Sequence, residues 1–163
     1  LESTRAGSSI DEQQIKKNWE AIKQEERQDK GNTGILDDVP MALPAQLRAT
    51  KLQKRAANYN FDWPNTEGVI DKVKEELAEL QQEVDSGDKT RQEEELGDLM
   101  FACVNLARHL SIDPERALAK TNNKFKRRFE SMDAELDLKN NLSLDTDSLE
   151  EAWNNAKKAE KNS

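Results

Sequence analysis

A chain of 163 residues is long enough to bury the core of one domain. Its composition, 36% charged against 34% hydrophobic with only 5% aromatic, describes a polar, helix-rich protein whose core is small or is completed by a partner subunit. A net charge of −8 argues against a nucleic-acid surface, no apolar run approaches the roughly 20 residues of a membrane span, and the single Cys103 excludes an internal disulfide. The expectation is a protein of the reducing cytoplasm that binds neither nucleic acid nor membrane.

The chain begins at Leu1 rather than Met, which suggests a processed product or an expressed fragment. Residues 1–10 have no periodic pattern and read as a disordered leader or a cloning remnant. Asp11 to Lys30 reads as a charged helix containing Trp19. Its segment IKKNWEAIKQEE aligns with LEEAWNNAKKAE around Trp153, at the tryptophan, at an apolar residue four before it, and at Lys and Glu after it. This predicts that 11–36 is a linker helix ending a preceding copy of the domain that occupies 37–163. Gly31, Asn32, Gly34, Pro40 and Pro44 mark the boundary. A helix then runs from about Leu43 to Asn58, apolar along Leu47, Leu52 and Ala56 and basic at Arg48, Lys51, Lys54 and Arg55. Beyond it, Phe61 and Trp63 read as structural plugs in a turn.

The next stretch organises the rest. KVKEELAEL and RQEEELGDL carry acidic pairs three residues apart, Glu76 with Glu79 and Glu95 with Asp98. Asp85, Ser86, Gly87 and Asp88 interrupt them with turn-forming residues, so the pattern predicts two antiparallel helices facing four carboxylates toward each other. Val69, Val73, Leu77, Leu80 and Val84 form one apolar stripe, and Leu96, Leu99, Cys103, Leu106 and Leu110 form the other. Each stripe has a glutamate, Glu76 or Glu95, at its border, and Cys103 reads as a core thiol. An oxygen-only cluster suits a hard cation such as Mg²⁺. Spacing alone leaves open a pair of acidic helices with solvated faces.

Asp113 and Pro114 then start a helix reaching about Met132, with Leu118, Thr121, Phe125, Phe129 and Met132 inward. Lys120, Lys124, Arg127 and Arg128 form a cationic strip beside them, suited to clamping phosphate. Asn140 to Ser143 is a loop, and Ser148 to about Lys161 is a last helix carrying Trp153. The only histidine, His109, has no glutamate three residues before it, which excludes a Glu-x-x-His di-iron site. Zinc ligands, a P-loop, a dinucleotide-binding Gly motif and a Ser/His/Asp set are likewise absent from the sequence.

EELAE followed by EEELGD matches the pattern EExxE, spacer, ExxD, and the chain resembles the MazG family of all-α nucleoside triphosphate pyrophosphohydrolases. LPAQLRATKLQKRAANYNFDW before these helices, and LMFACVNLARHL, KTNNKFKRRF and LEEAWNNAKKAEK after them, stand in MazG-like order, so the resemblance covers Asp38 to Lys161. It implies an all-α antiparallel helical bundle that converts a nucleoside triphosphate to the monophosphate and pyrophosphate, broadly over bases, as a homodimer. It assigns Glu76, Glu79, Glu95 and Asp98 to Mg²⁺, with Mn²⁺ as a substitute, and Glu75 or Glu94 to the base that assists an attacking water, a choice left open. It places Lys72, Glu76, Arg91, Glu94, Asp98, Lys124, Lys126, Arg127, Arg128 and Trp153 around the nucleotide. The spacer between the acidic pairs is shorter than in close relatives, which bears on the turn rather than the ligands. Two other readings share the helices. One is a non-catalytic acidic helical module for dimerisation or metal binding. The other is a narrow-specificity enzyme of the same fold, such as a dUTPase-like or phosphoribosyl-ATP hydrolase relative.

Overall fold

A computed structural model describes residues 34–141 and 143–161, together with Asn18, Trp19, Ala21 and Ile22, which are helical. The leader expected over 1–10 and most of the helix expected over 11–30 lie outside the described residues. From residue 34 on, the described residues hold five helices and no strand: α1 (Ala45–Ala57), α2 (Thr66–Ser86), α3 (Lys89–His109), α4 (Pro114–Leu136) and α5 (Thr146–Lys161). The chain divides into two compact units between Pro64 and Asn65.

In the first unit, α1 follows Pro44, and its Arg55 is taken up by an ion pair with Asp38. Gln53 and Val39 are buried there, whereas Leu47 is exposed. Phe61 and Trp63 are exposed too, so neither is the buried plug expected of it among the described residues.

The second unit is built from two helical hairpins. Each helix start is fixed by a side chain that takes backbone N–H groups left over by the first turn. Asn65 accepts from Gly68 N at 3.0 Å, Asp88 from Thr90 N at 3.0 Å, Asp113 from Glu115 N at 3.0 Å and Asp145 from Ser148 N at 2.7 Å. The chain turns from α2 into α3 at Gly87, whose φ of 79° lies in the left-handed region that glycine enters without a Cβ penalty. Gln92 then ties the hairpin together by donating to the Glu83 carbonyl at 2.9 Å. The α2–α3 and α4–α5 pairs pack closely, and α3 touches α4 much more lightly.

Which face of α2 turns inward differs from the apolar stripe. Val69, Lys72, Val73, Glu76, Glu79, Leu80 and Glu83 are shielded, while Leu77 and Val84 are exposed. At 100° per residue the shielded face is centred on Glu76, with Leu77 and Val84 roughly 80–100° round the helix. On α3 the same rotation holds. Gln92, Glu95, Leu99, Ala102 and Leu106 are shielded, whereas Leu96, Cys103 and Leu110 are exposed. Cys103 is therefore not a core thiol of the single chain. On α4 only Met132 is buried of the five residues expected inward; Leu118, Thr121, Phe125 and Phe129 remain exposed. The core of the second hairpin is completed by Ala152 and Ala156 of α5.

Candidate metal and phosphate site

The rotation of α2 and α3 has a chemical consequence. It carries the carboxylates from the edge of the stripes to the seam between the helices. Glu76, Glu79 and Glu95 each bring an oxygen within 4.8 Å of the others'. Glu76 is only 5% exposed, and Glu79 and Glu95 are half-buried. A buried carboxylate is costly unless a counter-charge answers it. Lys72, one turn before, answers it: its Nζ lies 2.6 Å from Glu76 Oε1 and 2.7 Å from Glu75 Oε1. Those two bonds, to Glu75 first and to Glu76, hold the Lys72 ammonium well above the usual lysine range. Glu79 shifts the other way for an acid: desolvation first, then Glu76 and Glu95 beside it, raises its pKa and disfavours its charge.

The donor set fits a hard divalent cation on this structure's own terms. It consists of oxygens only, it converges from two helices, and an ammonium already satisfies one of its members as a stand-in cation. Asp98, one turn after Glu95, is exposed and lies outside the group whose oxygens meet within 4.8 Å. Glu75 and Glu94 are exposed neighbours of Glu76 and Glu95. Sequence reasoning passed over Glu83, which continues the inward face of α2 and lies 3.3 Å from Arg91 Nε. Its spacing of seven from Glu76, two full turns, was the available signal.

The cations assigned to phosphate sit mostly on the other hairpin. Lys124 is exposed, and Lys126 pairs with Glu130 on its own helix. Arg128 Nε bonds Glu160 Oε2 at 2.7 Å, and Arg127 Nη2 lies 3.3 Å from Glu160 Oε1. Trp153 is half-buried against Phe125, ring centroids 5.4 Å apart and planes at 50°, with Phe129 beyond it at 6.1 Å from Phe125. One hairpin thus offers clustered oxygens, and the other offers guanidinium groups beside aromatic rings.

Comparison with known proteins points to a family. Residues 65–132 match the profile of the MazG nucleotide pyrophosphohydrolase domain. The chain is 45% identical over 146 residues to a nucleoside triphosphate pyrophosphohydrolase of Escherichia coli K12, an alignment covering 87% of this chain and 56% of that protein. It is 42% identical over 144 residues to the nucleoside triphosphate pyrophosphohydrolase/pyrophosphatase MazG of Thermotoga maritima, covering 86% and 54%. The uncharacterised protein YabN of Bacillus subtilis is 41% identical over 157 residues, covering 94% of this chain and 32% of YabN. The chain spans about half the length of the first two relatives.

Proposed function

The chain belongs to the MazG family, and from that premise we propose that it hydrolyses nucleoside triphosphates to the monophosphate and pyrophosphate with a divalent cation. The observation that carries this reading is the convergence of Glu76, Glu79 and Glu95 on one point of the α2–α3 seam. Glu76, Glu79 and Glu95, with Asp98 one turn beyond Glu95, would hold Mg²⁺ or Mn²⁺. When bound, the ion supplies polarisation of phosphoryl oxygens and neutralisation of the charge that develops as the anhydride breaks.

The protein's own groups do the rest. Lys72 pairs with Glu76 and sets an ammonium beside the cluster, where a phosphate oxygen can accept from it. Glu75 and Glu94 are the two exposed carboxylates next to the cluster that can take a proton from an attacking water. Arg91, Lys124, Lys126, Arg127 and Arg128 supply the cationic surface for the triphosphate tail. Trp153, braced by Phe125, offers a ring face for the base, and stacking of that kind accepts any base. Broad base specificity is the reading that such a platform favours.

Assembly belongs to the same reading. Leu77, Val84, Leu96 and Met100 leave an apolar surface on the outside of the acidic hairpin, with Met100 59% exposed. A second copy packed there across a two-fold axis would cover it, making a homodimer. No helix among the described residues is long and apolar enough to cross a membrane. We read 37–163 as the catalytic domain and the Trp19 segment as the tail of a preceding copy. The test is an assay of all common ribo- and deoxyribonucleoside triphosphates with Mg²⁺, detecting pyrophosphate. Release from several bases supports the proposal, release from one alone selects the narrow-specificity relative, and release from none leaves the acidic module as a scaffold.

A further inference from the structure

Glu160 stands outside every role assigned so far, yet both arginines of the cationic strip lean on it. It lies in the last turn of α5, 32 residues from Arg128, and takes the Arg128 Nε proton at 2.7 Å. Arg127 Nη2 is 3.3 Å from its other oxygen. The contact is shielded: the Arg128 side chain is 20% and that of Glu160 27% exposed. Seven residues earlier on the same side of α5, Trp153 rests on Phe125, three residues before Arg128. Two contacts therefore fix one face of α5 on one face of α4, one aromatic and one ionic.

We infer that Glu160 is a positioning residue, which holds the Arg128 guanidinium, with Arg127 beside it, aimed for the triphosphate tail. The inference rests on the reading that the strip binds phosphate. Glu160 takes Nε, the inner nitrogen, and the two terminal nitrogens of Arg128 make no hydrogen bond among the described residues. A guanidinium gripped at Nε still presents its terminal pair, which can reach phosphate oxygens as a fork. Holding it before substrate arrives removes the entropy of ordering a long side chain on binding. Because α5 carries both Trp153 and Glu160, the base platform and the phosphate fork keep one fixed spacing.

The experiment compares Glu160→Ala, Glu160→Gln and Arg128→Gln in steady-state hydrolysis of ATP with Mg²⁺. The glutamine at 160 keeps an oxygen to accept from Nε; the alanine does not. Glu160→Ala should raise KM by roughly three- to tenfold, the cost of ordering one rotamer-rich side chain, with kcat nearly unchanged. Glu160→Gln should restore most of that loss, and adding Glu160→Ala to Arg128→Gln should change KM no further, because the two act through one contact. A raised KM in Arg128→Gln with an unchanged KM in Glu160→Ala overturns the inference and leaves the phosphate strip standing. An unchanged KM in Arg128→Gln overturns the strip itself. A lowered KM in Glu160→Ala would mean that the carboxylate competes with substrate, and a lowered Tm with unaltered KM would make it a structural strap; either result overturns the positioning role.

Discussion

The two hairpins of the second unit solve opposite problems with similar materials. In α2–α3 a charge joins the apolar inside: Glu76, 5% exposed, lies buried along with Val69, Ala102 and Val104, while its neighbour Leu77 is 56% exposed. In α4–α5 the inside is apolar, Met132 with Ala152 and Ala156, and the charges of the cationic strip pair at the margin with Glu160. The first arrangement is expensive, because three carboxylates share a seam with a single ammonium. A divalent cation of the kind proposed above would offset that cost. The second arrangement costs less, because its charges pair at the margin and its inside is apolar.

The sharpest way to break this contrast is at the acidic seam. Glu79→Gln or Asp98→Asn should lower turnover at limiting Mg²⁺ by a hundredfold or more on the order-of-magnitude scale for lost charge stabilisation, with the helical circular dichroism unchanged. Without metal, Glu79→Gln should be no less stable than the parent, because the Glu79 carboxylate is crowded by Glu76 and Glu95 and its loss relieves them. Added Mg²⁺ should then raise the melting temperature of the parent and raise that of the variant less, by ligand linkage. Near-normal activity in either variant would remove that residue from the ligand set.

The next largest effect concerns the stripe that the seam displaced. Leu77→Glu places a charge in the apolar surface assigned to a second copy, and should weaken self-association by tenfold or more, about 1.4 kcal/mol per tenfold. Sedimentation at micromolar concentration reads this directly, and a parent protein that is already monomeric would contradict the dimer. On the other hairpin, Arg127→Gln and Arg128→Gln should lower catalytic efficiency by roughly ten- to a hundredfold through lost charge-assisted hydrogen bonds to phosphate. Circular dichroism and analogue binding separate that loss from unfolding.

The smallest effect is a difference in how the hairpins answer acid. Arg128 first, and Arg127 with it, hold the Glu160 carboxyl below the usual range, and the Ser148 backbone N–H does the same for Asp145. A depressed folded pKa adds stability that is complete above the unfolded value and is lost as the pH falls through the folded one. Glu79 is raised, so its ionisation costs stability at neutral pH and that cost fades as the pH falls. The melting-temperature gap between the parent and Glu160→Ala should therefore close only as the pH falls below the ordinary glutamate range, while metal-free parent and Glu79→Gln converge earlier on the way down. Gaps that stay constant with pH would show that neither carboxylate is coupled to folding.

Much of this could be read from the residues, because helix ends are local. Asn65, Asp88, Asp113 and Asp145 cap their own helices, and Gly87 makes its own turn, so element order and break points follow from short windows. The approach of Glu76 and Glu79 was legible for the same reason, since they sit one turn apart whatever surrounds them; of the four carboxylates expected to face one another, Asp98 stays outside the group. Two things were not legible. Hydrophobic periodicity marks an apolar face without saying whether it meets the same chain or another, so Leu77 and Leu96 were placed inward although the single chain leaves them outside. Ionic partners far apart in sequence leave no spacing signal either, which is why the Arg128–Glu160 contact across 32 residues emerges only from the fold.

The central claim, that the acidic seam and the cationic hairpin serve one reaction on nucleoside triphosphates, is tested most directly by ³¹P NMR of the products formed from ATP and Mg²⁺. The account predicts resonances of AMP and pyrophosphate for the parent protein, and their loss in Glu79→Gln. Orthophosphate with ADP, or unchanged ATP in the presence of well-folded parent protein, would contradict it.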